Sequence, residues 1–97
     1  MTRWLASGIR RDLCVLLYHL ESPTGQSLKR ALESHYEASI DPSEFYGAVT
    51  ALVDQGFVAR HPDGVHDRYS LTAAGETALL GHYEWTTEML EREDFRT

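Results

Sequence analysis

The segment from Asp41 to Thr72 constrains this chain more than any other, because a helix with marked ends is followed directly by two short extended runs. Asp41 is placed to cap the helix, its carboxylate accepting orphan N–H groups of the first turn, and Pro42 suits the first helical position, where no N–H is needed. Glu44 falls where it would complete a capping box. At the other end Gly56 stands where a helix C-terminus wants a left-handed residue, and Phe57-Val58 begins an extended run. Residues 57–61 and 68–72 read as strands with a period near two. Pro62 to Asp67 separates them and contains the turn pair Asp63-Gly64; a connection of that length is expected to be mobile at its tip. A helix running into a hairpin in this way is the core of a winged helix-turn-helix.

The flanking sequence supplies the rest of such a fold. Ile9, Leu13, Leu16, Leu17 and Leu20 recur at helical spacing, with Ser7 as a plausible cap and Arg10, Arg11 and Asp12 on the opposite face. Ser22-Pro23-Thr24-Gly25 then breaks the pattern. Leu28, Ala31, Leu32, His35 and Tyr36 mark a second helix, and Phe45, Val49, Leu52 and Val53 form the inward face of the third. Thr72 caps a last helix, with Glu76 near its positive end. Its apolar set, Leu79, Leu80, Tyr83, Trp85, Met89 and Leu90, is too wide for one seam, and exposed apolar groups of this size usually meet a partner chain. The expected architecture is mainly α with a small β-hairpin, in one domain over residues 1–97. Helices are expected over 9–21, 26–37 and 42–55, the wing over 57–72 and a C-terminal dimerisation helix over 73–93.

Composition narrows the function. Hydrophobic residues make up 42% of the 97 residues, enough for a single globular core. No apolar run approaches the roughly 20 residues needed to span a bilayer, and the first residues lack the apolar centre of a secretory signal, so a cytoplasmic location is expected. Cys14, the one cysteine, sits among leucines where a buried thiol is expected rather than a redox sensor. The formal charge is −6, against the basic face that duplex binding usually requires. That charge is uneven: residues 1–30 hold five basic side chains and two acids, residues 31–58 hold five acids and no base, and residues 76–97 hold six acids and two arginines. Only Lys29 among the nine basic residues is a lysine, a composition that suits a chain working in concentrated salt.

Phe45-Tyr46 in the third helix, the turn Leu52-x-x-x-Gly56-Phe57-Val58 and the join Tyr69-x-Leu71-Thr72-x-x-Gly75 resemble the PadR-like family of winged-helix transcription regulators, especially its short archaeal members. The similarity spans about residues 9–90. It implies a homodimer, joined through the last helix and often the N-terminal segment, on a two-fold symmetric operator with one third helix per major-groove half-site. A repressor is the expected sign of regulation.

On that reading Ser43, Tyr46, Gly47 and Thr50 face the groove from the recognition helix. Arg60, His61, His66 and Arg68 belong to the wing, and Lys29 and Arg30 clamp phosphates beside the groove. The dimer interface is expected at Trp4, Leu79, Leu80, Tyr83, Trp85, Met89 and Leu90, with Phe95 beside them; an aromatic effector cage is the other use of Trp4, Tyr83, Trp85 and Phe95. His61, Asp63, His66 and Asp67 have metal-ligand chemistry but no fixed geometry, and no metal or cofactor is expected. No nucleophile-base pair, carboxylate pair or phosphate-cradling loop points to an enzyme. The competing function is a protein-binding adaptor or antagonist that uses the acidic third helix. Convergence of Lys29, Arg30, Arg60 and Arg68 on the start of that helix would favour DNA.

Overall fold

The computed structural model describes residues 8–92. Along the chain run α1 (Gly8–His19), α2 (Gly25–Tyr36), α3 (Pro42–Asp54), β1 (Val58–Asp63), β2 (His66–Leu71) and α4 (Ala73–Glu91). Trp4, Phe95 and the expected Ser7 cap lie outside the described residues. No helix among those described is long and apolar enough to cross a membrane.

The apolar stripes of three helices meet in one core. Leu13, Cys14 and Leu17 come from α1, Leu28 and Leu32 from α2, and Phe45, Val49 and Leu52 from α3, while Val58 and Tyr69 close the core from the hairpin and Leu79 from α4. Full burial of each large apolar side chain contributes about 1.5–3 kcal/mol. Burial also pushes the Cys14 thiol up to about 12, so at neutral pH it is protonated and unreactive.

Helix ends follow the marker residues, with changes at α2 and α3. Asp41 accepts the Ser43 N–H at 2.8 Å. The reciprocal half of a capping box is not made: among the described residues no hydrogen bond runs back from the Glu44 side chain, and the Ser43 hydroxyl bonds Asp41 instead. At the far end Gly56, at φ 81°, donates to the Val53 carbonyl and Phe57 to that of Leu52, both at 3.0 Å, the paired bonds of a Schellman stop. α2 starts one residue earlier than expected, because Thr24 serves as its cap and accepts the Ser27 N–H.

Glu37 closes α2 with the same pair of bonds, but at φ 55° and with a Cβ that disfavours this conformation. Glu37→Gly should therefore raise stability by roughly 0.5–1 kcal/mol in a urea titration. A loss of stability would show that the glutamate makes a compensating contact.

β1 and β2 pair antiparallel from Val58 opposite Leu71 to Asp63 opposite His66. The strands thus continue through Pro62-Asp63 and His66-Asp67, and the expected six-residue connection is a two-residue turn, Gly64-Val65, with Gly64 at φ 64°. Proline is tolerated because β1 is an edge strand. The far side of β2 is met by the α1–α2 connection, where Thr24 bridges Arg68 and the Tyr69 N–H donates to the Pro23 carbonyl at 3.0 Å. This bridge ties the wing to the start of α2.

Among the described residues, the buried positions of α4 lie in its first turns. Gly75 and Leu79 are buried, and the helix packs on α1 and β2. Beyond them Leu80, Tyr83, Trp85 and Leu90 are exposed. Leu79 is therefore a core residue first and can only form the floor of any surface that a partner covers.

Candidate nucleic-acid interface

The outward side of α3 is polar and carries no base. Gly47 and Thr50 are exposed, and a Cβ at Gly47 would meet nothing within 4 Å, so this stretch of helix is open to a ligand. Ser43 is less available than its position suggested, because both its N–H and its hydroxyl proton are committed to the Asp41 carboxylate. The Ser43 hydroxyl can still accept a hydrogen bond.

Tyr46 is 40% exposed, with its ring edge-on to Phe45 at 4.8 Å. Its other side lies over the first residue of α2: a Cβ added to Gly25 would fall 3.0 Å from the Tyr46 hydroxyl oxygen. This glycine is there for close approach. Gly25, Gln26 and Tyr46 share a polar cleft of about 190 Å3 with Val65, His66, Asp67 and Tyr69 of the hairpin. The fold thus brings the third helix, the start of the second and the wing to one place. Tyr46 and His66, each a candidate DNA contact in the sequence, come together there; Gln26, Asp67 and Tyr69 are additions from the fold.

The wing residues divide between two faces. From the strand register, His61, Asp63, His66, Arg68 and Ser70 share one face, while Arg60, Asp67 and Tyr69 share the other. His61 Nε2 pairs with the Ser70 hydroxyl at 2.9 Å. Arg68 donates from Nε to Asp63 at 2.5 Å and from Nη1 to the Ser22 carbonyl at 2.9 Å. The four potential metal ligands of the wing do not gather into a site, and among the described residues no group of three or more His, Cys, Asp or Glu does so.

Lys29 is similarly engaged. It binds Glu33 at 2.9 Å, one helical turn on, with only 18% of its side chain exposed. The same Glu33 oxygen accepts the Ile40 N–H at 2.9 Å, clamping the turn that separates α2 from α3. Lys29 is thus a brace of the helix-turn-helix rather than a free phosphate ligand. Arg30 and Arg60 are exposed and form no ion pair among the described residues. Of the four cations expected to clamp DNA, two are already neutralised in cis.

These hydrogen bonds hold two carboxylates below their ordinary range. For Glu33 the Ile40 N–H is the larger cause and Lys29 the next; for Asp41 the Ser43 hydroxyl leads and the N–H groups of the first turn follow. A lowered carboxylate stabilises the fold above its unfolded pKa, and that contribution is lost as pH falls through the lowered value. The stability difference between wild type and Asp41→Ala should accordingly shrink below about pH 4. A difference constant with pH would mean that the carboxylate charge is not what holds the first turn.

Neither a family model nor a curated protein matches this chain. Solved structures do. RosR of H. salinarum is 26% identical, covering 93% of this chain and 83% of that one, with a TM-score of 0.81. The DNA complex of MepR from S. aureus superposes with a TM-score of 0.76 at 15% identity, over 97% of this chain and 75% of that one. The adhesin competence repressor AdcR from Streptococcus pyogenes gives 0.67 at 22% identity, over 87% of this chain and 58% of that one. All are winged-helix transcription regulators, and the architecture of α1 to α4 is theirs.

Proposed function

We propose that this chain is a sequence-specific DNA-binding regulator of transcription that works as a homodimer, with α3 in the major groove and the β1–β2 wing on the backbone or in the minor groove. The observation that carries the reading is the shared cleft of Tyr46, His66 and the start of α2, which makes one continuous surface of third helix and wing. The likeness to RosR and to DNA-bound MepR supports it. Ser43, Tyr46, Gly47 and Thr50 face the bases and phosphates, and Arg30 and Arg60 supply the unpaired positive charge. Charge is scarce on this surface, so affinity leans on hydrogen bonds and shape, as an acidic protein in concentrated salt requires.

The dimer forms through α4 and the exposed side of α1. Val15, Tyr18, Leu80 and Tyr83 line an open apolar groove of about 480 Å3 over Leu79, and Trp85 and Leu90 extend its apolar surface along α4. Met89, half-buried, joins that surface. The motifs around Phe45-Tyr46 and Tyr69 to Gly75 support a PadR-like regulator, with repression in the cytoplasm as its role.

The reading is tested by gel shift with a duplex from upstream of the chain's own coding sequence. Tyr46→Ala and Arg60→Ala should each abolish or strongly weaken the shift while circular dichroism stays unchanged, and Tyr83→Asp should turn a dimer into a monomer in light scattering. Undiminished shifts with both α3 and wing variants would remove this surface as the DNA contact. Capture of a protein partner by the same face, with no DNA bound, would favour the adaptor.

A further inference from the structure

We propose that Asp63 is an intramolecular stand-in for DNA phosphate: in the free protein its carboxylate occupies the Arg68 guanidinium, and DNA engagement exchanges that carboxylate for a phosphate oxygen. This rests on the wing being a DNA contact, as above.

The geometry favours exchange at this pair rather than at Lys29–Glu33. Asp63, directly before the Gly64-Val65 turn, and Arg68, the third residue after it, lie diagonally across the hairpin on its outer face, and their side chains are 58% and 44% exposed. An exposed ion pair of this kind is weak, so a phosphate meets little resistance in replacing the carboxylate. Arg68 does not swing away when released, because its Nη1 remains bound to the Ser22 carbonyl at 2.9 Å and its backbone is bridged to Thr24. Guanidinium has five N–H donors in a planar fork, and these contacts use only part of them. Lys29–Glu33 is the contrasting case: Glu33 also holds the Ile40 N–H, so displacing it would open the turn ahead of α3. One pair is a brace and the other is a latch.

The latch has two effects on binding. It subtracts from the affinity gained when Arg68 meets phosphate, since the contact with Asp63 must first be given up. It also leaves a carboxylate beside the DNA backbone, which repels most strongly when screening is weak.

The test is a double-mutant cycle by fluorescence anisotropy with the upstream duplex, using the full chain. Asp63→Asn should bind about three- to tenfold tighter than wild type at low salt, with the gain shrinking toward molar salt. In an Arg68→Ala background the same change should gain clearly less, because only the repulsion of the carboxylate is left to relieve. Binding by wild type with no gain in Asp63→Asn, or an equal gain with and without Arg68, would overturn the latch and leave the DNA reading standing. Absence of DNA binding by every folded variant would overturn both.

Discussion

Gly75→Ala should cost this protein more than about 3 kcal/mol, at or beyond the upper end of ordinary overpacking and a large share of a typical 5–15 kcal/mol stability. A Cβ at this position would lie 2.0 Å from the Phe57 carbonyl oxygen, 2.9 Å from its carbon and 3.1 Å from Leu71 Cδ2. The backbone atoms cannot rotate aside as a flexible side chain would. They are held where they are: the Phe57 carbonyl accepts the Thr72 N–H at 3.1 Å, and the Thr72 hydroxyl donates to the Gly56 carbonyl at 2.6 Å while accepting the Gly75 N–H at 3.0 Å. The start of α4 is thereby fastened to the stop of α3, which sets how the last helix leaves the wing. Urea titration of the purified variant should show a much lower midpoint. A change below about 1 kcal/mol would mean that α4 can slide away from the turn without loss, beneath even the low end of overpacking costs.

Phe45→Ala is the second large effect, at about 3–5 kcal/mol. Phe45 is fully buried and is the largest such side chain, in the same core as Leu13, Leu28, Leu32 and Leu52. Its removal leaves a cavity where α1, α2 and α3 meet. It also takes away the ring against which Tyr46 stands edge-on. Apparent DNA affinity should therefore fall by more than the loss of folded protein explains, as Tyr46 loses its support. If affinity tracks the folded fraction alone, Phe45 does not position Tyr46.

The two variants show why the fold was legible in the sequence. Asp41, Pro42, Gly56 and Thr72 are residues whose preferences are local, and each sits at a helix end in the structure. Apolar spacing then identified the buried faces, with Phe45, Val49 and Leu52 inward as expected. Gly75 stood in a recognisable motif, but its reason, the missing space for a Cβ, depends on a carbonyl 18 residues away. The hairpin turn is shorter than the period of the strands indicates, because Pro62 and Asp63 pair with Asp67 and His66, and an edge strand has no use for the N–H that proline lacks.

The candidate site was less legible, since charge pairing across the wing depends on register. A shift of one residue would place Asp63 and Arg68 on opposite faces. Arg60 and Arg68 look equivalent in sequence and lie on opposite faces of the sheet. Lys29–Glu33 had a visible signal in its spacing of four, yet the Ile40 N–H that makes it a brace appears only in three dimensions. The Tyr46–Gly25 approach joins two helices and leaves no mark in either one alone.

The central claim is that an acidic winged helix reads DNA through α3 and the wing. The most direct measurement is anisotropy of a labelled duplex from upstream of the chain's own gene, titrated with the full chain from low to molar salt beside a scrambled duplex. The account predicts a preference for the upstream duplex of about a thousandfold or more, two chains per site, and a shallow fall in affinity with salt because few phosphates are neutralised. Equal binding to both duplexes, or none at any salt by a folded chain, would contradict it.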